Sequence, residues 1–216
     1  MKSEVVAEYL RNHPEFFEEY ADMLAEIQLP HPHGGRTVSI SERQILALRE
    51  KTRQLESKLR EIIEFGEEND AIGEKIHRLT LTLLTARDLP GALSAVYLNL
   101  REDFAVPHVV LRAWRAGENG ALPEFAPVSA GIREFASSLT QPYCSGHAMV
   151  DTATLFGETA PHLRSFAYLP LRDETVFGLL ALASEDPQRF YPDMGTLYLK
   201  RIGELVSAGL VARLAA

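Results

Sequence analysis

Cys144, His147 and Asp151 lie close together in the sequence, and the three residue types could act as nucleophile, base and orienter. A thiol attacks only as thiolate, so it needs a base or a positive environment. His147, three residues on, reaches Cys144 only if the loop folds back. A buried or half-buried structural cysteine is therefore expected, with no catalytic residue assigned. His31, His33, His77, His108, His147 and His162 match no common zinc spacing, and the Pro/Gly-rich loop around His31 does not pre-organise ligands, so no metal site is expected. Gly117, Gly120 and Gly131 read as isolated turn glycines, which leaves no phosphate-cradling loop.

Composition narrows the classes further. The chain has 216 residues, 46% apolar, a single cysteine and a net charge of -8, enough for one ordinary core plus an appendage. The acidic balance argues against direct binding to nucleic acid or anionic membranes. One cysteine cannot form an internal disulfide and fits a reducing cytosol. The N-terminus lacks an apolar run of signal-peptide length and no segment approaches a membrane span. A cytoplasmic protein with no membrane partner is expected.

The elements that must position these residues begin with a helical hairpin. Residues 4 to 27 read as two helical stretches hinged at Asn12-His13-Pro14, with Phe16, Tyr20, Leu24 and Ile27 on one apolar face. A breaker-rich loop from Leu29 to Gly35 follows. Ser39 or Ser41, with Glu42 or Gln44 behind it, then offers a capping box for a long helix.

In that helix Ile45, Leu48, Leu55, Leu59 and Ile62 occupy a and d positions of a heptad repeat, with Thr52 at one a position. Lys51 at g and Glu56 at the following e would attract between parallel chains. A homodimer through this seam is expected, alongside the plainer alternative of a long helix packed on its own domain. Beyond Ile62 the apolar positions continue as Phe65, Asn69, Ile72, Ile76, Leu79 and Leu83, a stammer that predicts a change of partner near Gly66 to Gly73.

Asp88 is the expected N-cap of a helix through Leu93, Val96 and Leu100. Val106 to Trp114 reads as a strand, Gly117 to Gly120 as a hairpin loop and Phe125 to Val128 as a second, weaker strand limited by Pro123 and Pro127. Ile132 to Leu139 reads as a short helix, Pro142 to Cys144 as extended, and Ala148 to Phe156 as containing a helical turn. Ser165 to Leu171 is apolar and partly alternating. Val176 to Ala183 is continuously apolar, as a central strand buried on both faces would be. A closing amphipathic helix is expected to open around Arg189 to Met194. The fold class is α+β: a central antiparallel sheet flanked by helices, preceded by a helical arm with a long coiled-coil-like helix.

The closing strand–hairpin–helix block resembles the GAF domain, a small-molecule sensor module. The blocks Tyr9 to Phe17, Leu29-Pro30-His31, Ser41-Glu42-Arg43-Gln44, Leu48-Arg49, Pro142-Tyr143-Cys144, Gly178 to Asp186, Arg189-Phe190 and Met194-Gly195-Thr196 resemble, in order, the bacterial family designated domain of unknown function 484. That resemblance implies a GAF-like domain at 71–216, a connecting helix at 39–70 and a helical hairpin and loop at 1–38. Members are often encoded beside a tyrosine recombinase of the chromosome-segregation type. In a GAF-like fold the concave sheet face and the irregular middle segment would enclose a ligand, lined by Arg112, Trp114, Tyr143, Cys144, Phe156, His162, Arg164 and Tyr168. The patterns of bilin, cyclic-nucleotide and methionine-sulfoxide-reducing GAF domains do not match. No cofactor is assigned. The family resemblance implies no established activity; the GAF-like fold with the heptad seam gives, as the expected function, a dimeric regulatory sensor that binds an unidentified small molecule and signals to a protein partner. The alternative is a dimerising scaffold or adaptor without a ligand, linked to chromosome recombination or segregation, and an uncharacterised enzyme is a distant third.

Overall fold

A computed structural model of the chain describes residues 2–30, 37–115, 122–192 and 194–214. Expectations that concern His31, His33, the Gly117–Gly120 hairpin and the capping side chains of Ser39, Ser41 and Glu42 lie outside the described residues and side chains. The chain divides into two compact units, Met1–Glu67 and Glu68–Ala216.

In the first unit the Asn12-His13-Pro14 hinge separates α1 (Ser3–Asn12) from α2 (Glu15–Glu19), and α3 (Ala21–Glu26) follows. The His13 ring stacks on Tyr9 at 4.2 Å, and its carbonyl accepts from the Phe16 N–H. No residue of α1 or α2 is buried. Where a loop was expected, its flanks form an antiparallel ribbon of β1 (Gln28–Pro30) with β2 (Thr37–Ser39). Pro30 is tolerated there because a two-stranded ribbon consists only of edges.

The long helix α4 runs from Ile40 to Thr85, 46 residues, without a break at Gly66 or Gly73. From Arg43 to Ala71 every residue is exposed. Burial begins at Ile72, and Leu79 and Leu83 are fully in the core.

The second unit continues with α5 (Leu89–Leu98), whose start is fixed by Asp88: its carboxylate accepts from the Gly91 N–H at 2.8 Å. One turn of π-helix, Asn99–Asp103, ends it. The buried Asn99 amide donates to Thr82 Oγ1 at 3.0 Å and to the Ala95 carbonyl at 2.8 Å, tying that turn to α4. Ala105 then sits at a φ of 52°, the one non-glycine residue in left-handed backbone among the described residues.

The strand β3 (His108–Ala113) is followed by a 3-10 turn, Pro123–Phe125, and not by the strand expected at 125–128. Proline lacks the N–H that a ladder needs. The outward-facing Leu111 N–H of β3 is instead taken by the Tyr97 hydroxyl at 3.3 Å. Next come α6 (Ala130–Ser138), capped by Ser129, then β4 (Tyr143–Ser145) and a 3-10 segment, Val150–His162, kinked at Gly157. The last elements are β5 (Ser165–Arg172), β6 (Val176–Ser184) and α7 (Leu197–Leu214). Helix α7 opens later than expected, because Arg189 donates to the Phe104 carbonyl and Phe190 is drawn into the core, leaving turns between Asp186 and Met194.

The four strands pair antiparallel in the order β3-β6-β5-β4. The α+β class, the helix-flanked antiparallel sheet and the long helix are those expected. Helices α5, α7 and the end of α4 cover one sheet face with Leu111, Leu169, Leu171, Leu180 and Leu182. The other face carries Phe166, Tyr168, Leu179 and Ala181 under α6 and the 3-10 segment. A register shift at Leu171/Arg172, opposite Val176–Gly178, bends the β5–β6 pair.

At Gly178 an added Cβ would lie 2.8 Å from the Arg112 carbonyl oxygen, a backbone atom that cannot step aside. Gly178→Ala is expected to destabilise the protein by about 1–3 kcal/mol in urea unfolding. Ala105→Gly is expected to stabilise it by roughly 1 kcal/mol, since glycine removes the left-handed strain at the cost of some unfolded-state entropy. The midpoints of the two urea curves, shifted in opposite directions from that of the unsubstituted chain, check both.

Candidate functional site

The sheet divides the expected pocket residues between its faces. Side chains alternate along β4, so Cys144 points into the cluster shared by α5, α7 and Leu169. Tyr143 and Ser145 belong to the opposite side, paired with Tyr168 and Phe166. Arg112 alternates with the core-facing Leu111 and Ala113; its guanidinium donates to the Leu111 carbonyl at 3.0 Å. Trp114 is half-buried beside the second cluster and donates through Nε1 to the Val176 carbonyl at 3.1 Å, with Arg133 5.9 Å from its ring centre. His162 and Arg164 are exposed.

The side of the sheet where a ligand was expected is filled by the chain's own aromatics. Tyr168 is fully buried, stacked with Phe166 at 6.2 Å and met edge-on by Phe135 at 5.2 Å; Phe156 meets Phe166 at 5.9 Å. The Tyr168 hydroxyl accepts from the Met149 N–H at 3.1 Å and shares a 2.8 Å hydrogen bond with Thr152. Burial raises its pKa. A buried phenol whose hydrogen bonds are met within the chain behaves as a packing residue. Sequence reasoning missed Thr152 and Phe135 in this cluster, and no motif marks them; only their packing reveals them.

The catalytic arrangement does not assemble. Cys144 is 3% exposed, and burial pushes its thiol up to about 11. His147 turns to Ser145, with Nδ1 3.4 Å from its hydroxyl, and Asp151 accepts from the Ser129 hydroxyl at 2.8 Å. Tyr97 is likewise pushed up to about 12, first by burial and then by the Glu124 charge, which suits its role on the β3 edge.

Two open surfaces lie away from this cluster. On α4, Ile45 (49% exposed), Leu48, Leu55, Leu59 and Ile62 (65% exposed) leave the heptad seam open along the helix. Beside α7 a groove of about 530 Å³ is lined by Pro142, Leu169, Pro170 and Val211. Its charged lining is Arg172, Asp173, Lys200 and Glu204: Lys200 meets Glu204 at 3.9 Å, Asp173 meets Arg115 at 3.0 Å, and the Arg172 guanidinium donates to the Leu139 carbonyl.

The Cys144 environment gives a direct check. At pH 8 its thiolate fraction is expected to be about a hundredfold below that of the unfolded chain. Ellman's reagent is expected to label it slowly in native buffer and quickly in denaturant. Fast native labelling would contradict the geometry.

The uncharacterized protein YigA of Salmonella typhimurium is 26% identical over 204 residues, which span 91% of this chain and 86% of YigA. Residues 1–214 match the family described as protein of unknown function, DUF484, and the chain belongs to that family.

Proposed function

We propose that the protein is a homodimeric regulatory scaffold whose protomers join through α4 as a parallel two-stranded coiled coil. One observation carries this reading: from Arg43 to Glu68 every residue of α4 is exposed, although five large apolar residues recur there in heptad register. An exposed apolar stripe of that length marks an interaction surface, and a second copy supplies a stripe of the same spacing. In the parallel arrangement Lys51 at g meets Glu56 at the following e of the other chain, an attractive pair. The order of helices and strands in the second unit supports assigning it to the GAF-like class.

A ligand-sensing role finds no support on the sheet face first expected to hold it, because Tyr168, Phe166, Phe156 and Phe135 occupy that space. A dimerising adaptor needs no such cavity. A protein partner is favoured by the arm, where Val5, Tyr9, Phe17 and Tyr20 are all exposed.

Sedimentation equilibrium tests the dimer. The unsubstituted chain is expected at twice its 24.1 kDa mass. Leu55→Asp with Leu59→Asp should weaken association at least about a hundredfold, because unpaired carboxylates would enter an apolar seam. An unchanged oligomeric mass in that variant would overturn the reading.

A further inference from the structure

We infer that a crevice at the Phe104 corner, between α4 and α7, binds a small organic carboxylate with an aromatic or aliphatic body. The crevice has a volume of about 350 Å³, and Leu100, Val106, Leu182 and Ile202 form its apolar wall. That size suits a ligand of about ten heavy atoms, at the lower end of known small-molecule sites.

The charge in the crevice is unbalanced. Lys75 and Arg189 both line it, and among the described residues no carboxylate does. Neither cation forms an ion pair among the described residues, while nearby Asp103 is already held by Arg78 at 3.0 Å. Arg189 Nη2 donates to the Phe104 carbonyl at 2.5 Å, and its Nε is buried without an acceptor. The Lys75 ammonium stands 6.0 Å from the centre of the Phe104 ring. Phe104 thus brings two cations to one place, through its carbonyl and its ring, in a chain whose net charge is -8. Cations that are partly desolvated and lack a counter-ion attract an anion more strongly than exposed ones do.

The backbone is under strain at the same place. Ala105, next to Phe104, holds a φ of 52°, immediately after a π-helical turn. Left-handed backbone at a residue with a Cβ and π-helical turns both concentrate at functional sites. The apolar wall selects against inorganic phosphate or sulfate and for an anion with a body to bury. Ile72 and Lys75 belong to α4, and Tyr198, whose hydroxyl donates to Asn69 at 2.9 Å, belongs to α7. A bound carboxylate therefore joins these two helices where burial of α4 begins.

Isothermal titration calorimetry on the full chain tests the site with benzoate, 3-phenylpropionate and octanoate, and with neutral 3-phenylpropanamide as control. At least one carboxylate is expected to saturate below about 1 mM, with the amide and the Lys75→Gln variant each at least about tenfold weaker. Thermal melting of Lys75→Gln should shift little, since half-buried Lys75 forms no ion pair among the described residues and glutamine keeps most of its stem. No saturation by any of the three at about 10 mM would overturn the inference. Equal binding of 3-phenylpropionate and its amide, or an unchanged affinity in Lys75→Gln, would do the same. Binding is expected to persist in the Leu55→Asp, Leu59→Asp variant, so failure of the dimer and failure of the site are read separately.

Discussion

Burial of β6 on both faces is the constraint on which the second unit depends. Phe177 to Ser184 are all buried, and every ladder bond of the strand is made with β3 or β5. A strand in that position needs an apolar layer above and below, which fixes the helices: α5, α7 and the end of α4 on one side, α6 and the 3-10 segment on the other. The strict alternation of neighbouring strands follows. It sends Cys144 to one side and Ser145, to which His147 is bonded, to the other, and so dissolves the Cys144–His147 grouping that looked chemical along the sequence. Residues consecutive in a strand are remote in their surroundings, and a nucleophile and base drawn from one edge strand need an even spacing or a loop to meet.

Elements with local determinants were legible in the sequence. The Asp88 cap, the Asn12-His13-Pro14 hinge and the two-sided apolar run of β6 follow from side-chain capping, proline geometry and periodicity. The misses share a different cause. Whether Phe125 to Val128 pairs as a strand depends on whether the β3 edge is free, and Tyr97, 14 residues before Leu111, had taken it. Whether α7 opens at Arg189 depends on Phe104, 85 residues earlier. For the sheet face, the residue types suited a pocket equally well as a packed layer. Only the meeting of Phe135, Phe156, Phe166 and Tyr168 across three elements decided between them.

The helix α4 meets two environments with one kind of residue. Its first half has helix-forming residues and local side-chain links such as Lys58 to Glu61 at 2.8 Å and Gln54 to Glu50 at 3.3 Å. Each exposed link contributes only a few tenths of a kcal/mol. In proteins most helical stability comes from packing an apolar face, and from Arg43 to Glu68 the apolar residues of α4 are all exposed. An open heptad seam of this length is a surface that a second helix would cover, and this is what the proposed dimer rests on.

The Phe104 corner shows how strain and charge can be held in one place. The π-turn exists because Phe104 N–H reaches back to the Asn99 carbonyl at 3.1 Å and Val106 N–H to the Leu100 carbonyl at 2.9 Å. That return lets Leu100 and Val106 enter the core, and it forces Ala105 into the left-handed region. The same turn projects the Phe104 carbonyl toward Arg189, which delays α7 and leaves room between α4 and α7. If the loop after β6 were held by apolar contacts alone, Phe190 would suffice, since it is already 4% exposed. A guanidinium set against a backbone carbonyl, with one buried N–H unmatched and an ammonium nearby, adds desolvation without a compensating ion among the described residues. Such an arrangement is stable when the surrounding packing holds it, and it gains most from an anion that brings its own apolar surface.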